Sequence, residues 1–335
     1  MLKHYTIPIF IPELACPFQC VFCNQEKISG HQKIPDKNDI QQTITEHLKS
    51  FKRTDRIVEV GFFGGSFTGI PIEEQAHYLE TIQPFVKQGE VQGIRLSTRP
   101  DYISEEILVV LKKYRVSTIE LGAQSMDDEV LTKTFRGHTA KQTEEASKMI
   151  LENDFELGLQ MMIGLPGDTL EKSIITAKRI IELGAANTRI YPAVVIKGTA
   201  MHSWYTNGKY TPLSIDEAIQ WSAQILPLFE EAEVKVLRVG LHPSEGLLSG
   251  HELVAGPFHQ SFKELVLTEI WKQKLSPLLT NEPSGKLTIF VAPEEMNYAI
   301  GYGAANKKMF LEKCKTVEFM KKSSLSGRNF EFSLA

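Results

Sequence analysis

Three of the four cysteines lie close together near the start of the chain, at Cys16, Cys20 and Cys23, within LACPFQCVFCNQ. The spacing is C-x3-C-x2-C, so the three thiolates can meet on one tight loop. Such a set can hold three irons of a 4Fe–4S cluster and leave the fourth iron open for chemistry. The alternative is a structural zinc site, in which His31 completes a Cys3His set. The cysteines by themselves favour the iron–sulfur cluster over zinc.

Short apolar segments alternate with segments of helical periodicity along residues 1–240. The apolar segments predict strands at residues 6–11, 57–63, 94–97, 118–121, 155–163, 187–196 and 234–241. Six β-then-α units in series predict parallel strands with right-handed crossovers. A full barrel needs eight such units, so we expect an α/β fold built as a partial (β/α)6 TIM-like barrel.

Glycine-rich and polar segments occur where the predicted strands end, as GGSFTG, STRPD, GAQS and GLPG. Parallel α/β folds place their ligands at the carboxyl ends of the strands. These segments are therefore expected to meet the cysteine loop, which follows the first strand, at one face of the barrel.

The composition is that of an ordinary globular protein, with 335 residues, 42% hydrophobic residues and a formal charge of −4. This balance excludes a wholly basic nucleic-acid coat protein. No apolar run approaches the roughly 20 residues of a membrane span, and Pro8 and Pro12 interrupt the apolar start. We therefore expect a cytoplasmic protein with a barrel at residues 1–240 and a small α/β domain at residues 241–335.

The motif C-x3-C-x-aromatic-C, with Phe22 as the aromatic residue, resembles the signature of radical SAM enzymes. The resemblance implies a 4Fe–4S cluster on Cys16, Cys20 and Cys23, with S-adenosylmethionine bound to the open iron. It also implies an electron donor such as flavodoxin or ferredoxin, reductive cleavage of S-adenosylmethionine, and hydrogen abstraction by a 5′-deoxyadenosyl radical. In such a system the cofactors carry the difficult chemistry, and the protein orients the reactants and excludes solvent.

Five later motifs narrow the resemblance: STRPDYISEEIL, IELGAQS, TFRGHT, MMIGLPGDT and RIYPAVVIKG. In order and spacing they resemble the radical SAM domain of the catalytic subunit of Elongator, which modifies the wobble uridine of tRNA. The resemblance covers residues 5–240 and implies tRNA as substrate and partner, whereas residues 241–335 do not resemble that subunit's acetyltransferase domain. A weaker resemblance to oxygen-independent coproporphyrinogen oxidases leaves a small-molecule or tetrapyrrole-type substrate open. A zinc-containing RNA-binding protein is the alternative of another class.

The resemblance further implies which residues contact S-adenosylmethionine. They belong to the cysteine motif, the glycine turn after the second strand, and the ends of later strands: Phe22, Gly64, Gly65, Ser66, Ser97, Gln124, Arg136, Ile163, Gly164 and Ala193. Arg99 and Gln160 are expected to act on the substrate side. His242, just past the last barrel strand, is a further candidate there.

One stretch of the C-terminal region is basic. Residues 303–328 contain seven Lys and Arg residues against two Glu, and Lys307 and Lys308 follow a glycine-rich turn. Such a patch can contact RNA phosphates, although a solvated helix face is the simpler interpretation.

Overall fold

The computed structural model describes residues 3–11, 20–24, 27, 34–52, 55–242, 244–281 and 285–335. Its first nine strands are β1 Lys3–Ile11, β2 Arg56–Gly64, β3 Gly93–Thr98, β4 Val116–Gln124, β5 Glu156–Ile163, β6 Asn187–Pro192, β7 Val195–Ile196, β8 Lys235–Val239 and β9 Leu253–Ala255. Seven of them form one sheet in the order β1-β2-β3-β4-β5-β6-β8. All neighbours in this sheet are parallel.

The sheet is curled: His4 on one edge strand and Lys235 on the other edge strand line the same cavity. The edges do not pair with each other, so the sheet is an open half-barrel. This arrangement confirms the predicted α/β fold with a partial TIM-like barrel.

Helices cover the outer face of the sheet, and several begin at a side-chain cap. Asp36, Thr139 and Ser214 each form a capping box, which satisfies N–H groups that the first helical turn leaves unpaired. The helices of this region are α1 Lys37–Ser50, α2 Ile72–Lys87, α3 Glu105–Lys113, α4 Asp128–Lys133, α5 Ala140–Glu152, α6 Leu170–Glu182, α7 Ala200–Thr206, α8 Ile215–Glu231 and α9 Glu245–Leu248. Across the described ranges, no helix combines the length and apolar character that a membrane crossing requires.

The apolar core lies between the sheet and these helices. Leu96 and Leu159 point into it and are fully buried. Their neighbours Ser97 and Gln160 point the other way and line the cavity, because successive strand residues face opposite sides of a sheet. One face of the sheet therefore builds the core, and the other lines an interior with charged, polar and apolar side chains.

The C-terminal region contains a second, smaller sheet in the order β11-β10-β12. Its strands are β10 Lys286–Val291, β11 Thr316–Lys321 and β12 Phe330–Leu334, and its helices are α10 Phe262–Leu275, α11 Met296–Ile300 and α12 Ala305–Leu311. Strand β10 is parallel to β11 and antiparallel to β12. Short 3-10 helices occur at Phe67–Gly69, Pro100–Tyr102, Ser276–Asn281 and Tyr302–Ala304.

Helix α10 connects the two cores. Phe262 and Val266 pack into the barrel core, whereas Trp271 and Leu275 belong to the core of the small sheet. Strand β9 pairs with β7, so the segment after residue 240 returns to the barrel before α10 begins. The division at residues 240 and 241 stays a prediction.

Candidate active site

The described part of the cysteine loop, residues 20–24, lies beside the helices that follow the carboxyl ends of the barrel strands. The Val21 N–H donates to the Thr134 carbonyl at 3.1 Å, and the Met201 N–H donates to the Val21 carbonyl at 2.8 Å. Thr134 ends α4, and Met201 lies in the first turn of α7. Two backbone hydrogen bonds therefore hold Val21 between these helices.

Cys20 is buried, whereas Phe22 and Cys23 line the cavity of the half-barrel, which has a volume of about 620 Å³. Cys16 and the alternative zinc ligand His31 lie outside the described residues. Within the described residues, no group of three His, Cys, Asp or Glu side chains is placed to hold a metal ion. The three-cysteine ligand set therefore stays a prediction.

Two arginines lie next to the cysteine loop. Arg136 Nη1 is 3.5 Å from Cys20 Sγ, and Arg136 Nη2 donates to the Gly122 carbonyl at 2.7 Å. Arg99 is 1% exposed, donates two hydrogen bonds to Asp101 at 2.9 and 2.8 Å, and interacts electrostatically with Cys20. The positive charge of Arg136 beside Cys20 suits an anionic metal centre at the loop.

Buried polar atoms near the loop suit a polar ligand as well. Gln124 Oε1 and Arg136 Nε have no hydrogen-bond partner among the described residues. Gln124 also has φ +63°, which is uncommon for a residue other than glycine. Unpaired buried polar groups are rare in folded proteins. S-adenosylmethionine, with its amino, carboxylate and ribose hydroxyl groups, has the donors and acceptors that these atoms need.

The glycine turn after β2 is packed against the end of β1. Gly64 has φ +104°, and a Cβ added there would lie 2.7 Å from the Ile11 carbonyl oxygen. The Gly65 N–H donates to that same oxygen at 2.7 Å. Both the backbone conformation and the close approach therefore require glycine at position 64.

Replacing Gly64 with Ala should destabilise the protein more than replacing Gly89 with Ala. Gly89 also has a positive φ, of +74°, but an added Cβ would meet nothing within 4 Å. The Gly89→Ala change isolates the backbone penalty, about 1–2 kcal/mol, and Gly64→Ala adds the clash with Ile11. Urea unfolding of both variants measures the difference, and equal losses would contradict a close approach at Gly64.

The turn after β5 is held by residues that the sequence analysis did not single out. Tyr210 Oη donates to the Gly164 carbonyl at 2.6 Å, and the Gly164 N–H donates to Asp168 at 2.8 Å. Ser173 Oγ also donates to Asp168 at 2.7 Å. Burial raises the pKa of Asp168 to about 6. The motif GLPGDT contains Asp168, but nothing in the sequence connects the turn to Tyr210.

The predicted site residues divide into those that line the cavity and those behind its wall. The lining contains Phe22, Cys23, Gly64, Ser97, Gln124 and Gln160, together with His242. The predicted residues outside the lining are Cys20, Gly65, Ser66, Arg99, Arg136, Ile163, Gly164 and Ala193. Gln160 Nε2 donates to Ser97 Oγ at 3.2 Å, whereas Arg99 is engaged with Asp101. A substrate contact by Arg99 stays a prediction.

A chain of ion pairs crosses the inner wall of the half-barrel. Arg95 donates to Glu59 at 2.9 Å and to Glu120 at 2.8 Å, and Arg189 donates to Glu120 at 2.7 Å. Gln160 donates to the same carboxylate at 3.0 Å. Burial acts to raise the pKa of Glu120, but Arg189 and Arg95 outweigh it and keep that pKa below its ordinary value. Glu120 therefore stays charged and connects its own strand, β4, to β3, β5 and β6.

Comparison with known proteins identifies the family. A model of the radical SAM superfamily matches residues 11–180, and a model of the radical SAM C-terminal domain matches residues 186–272. The cysteine loop and most of the predicted site residues lie within the first of these ranges.

Individual curated proteins are similar to this chain as well. An uncharacterized protein of Methanocaldococcus jannaschii is 30% identical over 63% of this chain and 63% of its own length. The tRNA uridine(34) acetyltransferase of the same organism is 28% identical over 63% of this chain. The chain thus covers between 47% and 63% of the length of these two relatives.

Among solved structures, the archaeal Methanocaldococcus infernus Elp3 is similar with a TM-score of 0.66 at 20% identity. The match covers 82% of this chain and 64% of the other, and it supports the half-barrel fold. The family match covers half of the chain and includes the cysteine motif and the glycine turn. The chain therefore belongs to the radical SAM superfamily of enzymes.

Proposed function

We propose that this enzyme binds a 4Fe–4S cluster through Cys16, Cys20 and Cys23, binds S-adenosylmethionine beside it, and modifies a nucleotide base in tRNA. The observation that carries the proposal is the position of the cysteine loop. Phe22 and Cys23 face a cavity of about 620 Å³ lined by charged, polar and apolar side chains, while Arg136 lies against Cys20 behind them. A reactive centre at the loop would thus meet a substrate inside the half-barrel.

The bound cluster and S-adenosylmethionine would supply the radical that removes a hydrogen atom from the substrate. The protein's own residues position and shield the reactants. Arg136 offers its unpaired Nε to a carboxylate, and Gln124 offers its unpaired Oε1 to a hydroxyl or amino group. Ser97 and Gln160, already joined by a hydrogen bond, face the cavity next to them. The Gly164 turn, fixed by Tyr210 and Asp168, provides a rigid backbone edge for an adenine ring.

The tRNA substrate is inferred from the relatives. Relatives of 27–29% identity carry the names tRNA uridine(34) acetyltransferase and Elongator complex protein 3. The chain spans about half of their length or less, so acetyl transfer forms no part of the proposal.

A tRNA substrate implies action in the cytoplasm, and the radical chemistry implies an electron donor such as flavodoxin or ferredoxin. Residues 241–335 are proposed as a separate domain that assists substrate binding.

Changing Lys307 and Lys308 together to Ala should weaken tRNA binding and reduce its dependence on salt by about one to two units of log–log slope. Both lysines lie on α12, and neither forms an ion pair among the described residues. A matched control is the double change of Lys141 and Lys148, which pair with Glu145 and Glu152 on α5. Fluorescence anisotropy at several salt concentrations measures the affinities. Equal losses in both double variants would contradict a specific contact at α12.

Nucleoside mass spectrometry of tRNA from a deletion strain tests the proposed function. The expected result is the loss of one modified nucleoside and its return when the wild-type gene is supplied. A gene encoding Cys20→Ala should not restore it, which separates the chemistry from any scaffolding role. An unchanged nucleoside profile would contradict a tRNA substrate and favour the small-molecule alternative.

A further inference from the structure

We propose that Arg238, Tyr191 and His242 form a phosphate-binding subsite in the cavity wall made by β6 and β8. The subsite would take a phosphate of the substrate and direct the attached nucleoside toward the cysteine loop. The inference that the ligand is a nucleotide rests on the proposed function. The inference that the ligand carries a phosphate rests on the residues of the wall.

A β-bulge brings Arg238 to the cavity. Thr188 pairs with Val236, but the next residue, Arg189, pairs with Arg238, so Leu237 is the extra residue on β8. Both Leu237 and Arg238 consequently line the cavity. Regular alternation would have turned one of these two side chains away, and bulges commonly re-aim a side chain at a functional site. The position of Arg238 is therefore a consequence of an irregularity in the strand.

The other buried cations of the wall are already neutralised. Arg95 pairs with Glu59 and Glu120, and Arg189 pairs with Glu120. Arg238 is half-buried, and none of the described carboxylates lies within ion-pair distance of it. A guanidinium that lines a cavity without a carboxylate is suited to an anionic ligand, since charge-assisted hydrogen bonds to phosphate are strong.

Tyr191 and His242 add neutral donors beside this cation. Tyr191 lines the same cavity, and its hydroxyl interacts with Arg189. Burial raises the pKa of Tyr191, so the phenol keeps its proton. Burial and then Arg238 lower the pKa of His242, so its imidazole is neutral at pH 7 and has one N–H to donate.

The electrostatic surroundings distinguish this wall from the rest of the cavity. Glu59 lies across the interior, where its carboxylate is 2.9 Å from Arg95 Nε and 3.3 Å from His4 Nε2. Glu156 accepts a hydrogen bond from Asn187 at 2.7 Å. Lys235 also lines the cavity but is exposed at the end of β8. Arg238 is thus the half-buried cation of this wall that no described carboxylate neutralises, and it lies in the same cavity as Phe22 and Cys23.

Isothermal titration at constant ionic strength with uridine 5′-monophosphate, uridine and inorganic phosphate tests the subsite. The wild-type protein should bind the monophosphate at least about tenfold more tightly than uridine, the effect expected of a charge-assisted hydrogen bond. Arg238→Met should abolish this preference, and Arg238→Lys should retain part of it. Lys235→Met, the matched control, should leave the preference unchanged, and circular dichroism should show that all variants fold.

The outcomes separate the subsite from the proposed function. Binding of inorganic phosphate that depends on Arg238, without any binding of the monophosphate or uridine, would support the subsite and contradict a nucleotide substrate. Equal affinity for the monophosphate and uridine would overturn the proposal. A preference that survives in folded Arg238→Met would overturn it too.

Discussion

Replacing Cys20 with Ala should leave the protein unable to hold a four-iron cluster and unable to cleave S-adenosylmethionine. The motif provides three thiolates, and a cube held by two of them lacks a ligand on half of its irons. Cys20 is also the cysteine whose sulfur lies 3.5 Å from Arg136 Nη1. Iron content and 5′-deoxyadenosine formation after anaerobic reconstitution measure the effect, with both expected to fall to background.

Cys314→Ala is the matched control. Cys314 is buried in the core of the small sheet, together with Trp271 and Phe310, far along the chain from the cysteine loop. This variant should retain iron and cleavage activity at the wild-type level. Retention of the cluster by Cys20→Ala, or its loss in Cys314→Ala, would mean that the cluster is held elsewhere.

Replacing Glu120 with Gln should cost about 3–5 kcal/mol of folding free energy, the usual effect of removing one partner from a buried ion pair. Glu120 is 1% exposed and accepts hydrogen bonds from Arg95, Arg189 and Gln160. The variant would leave two buried guanidinium groups without their shared carboxylate. Urea unfolding at pH 7 measures the loss.

The pH dependence follows from the direction of the pKa shift. The pKa of Glu120 in the folded protein lies below its ordinary value of 4.5. Its stabilising effect is therefore fully present above about pH 4.5 and is lost as the pH falls through the lower, folded-state pKa. The difference between wild type and Glu120→Gln should shrink on acidification.

Glu129→Gln serves as the control for Glu120→Gln. Glu129 is exposed and pairs with Lys133 and Lys172 on the surface. Its replacement should leave the unfolding midpoint nearly unchanged, because water already screens such pairs. Similar losses in the two variants would contradict a structural role for the buried network.

The strand order and the half-barrel follow from the sequence because the apolar segments are short, regularly spaced and separated by capped helices. The interior of the half-barrel was harder to predict. Glu120 stands within IELGAQS between apolar residues, and only the strand alternation turns it inward against Arg95 and Arg189. Sequence patterns do not identify partners 25 and 69 residues away.

Two further residues show why part of the site could not be predicted. Arg238 reaches the cavity through a bulge at Leu237, and a bulge leaves no mark in a segment such as KVLRV. Tyr210 supports the Gly164 turn across a separation of 46 residues. Motif recognition identified the turn itself, whereas its support depends on tertiary packing.

The most direct test of the account is metal and sulfide analysis of the full chain, purified and reconstituted without oxygen. A 4Fe–4S cluster on the three cysteines predicts about four irons and four sulfides per chain, with a visible absorbance that bleaches on reduction. It also predicts that the reduced protein converts S-adenosylmethionine to 5′-deoxyadenosine. One zinc per chain, with no iron bound after reconstitution, would contradict the account.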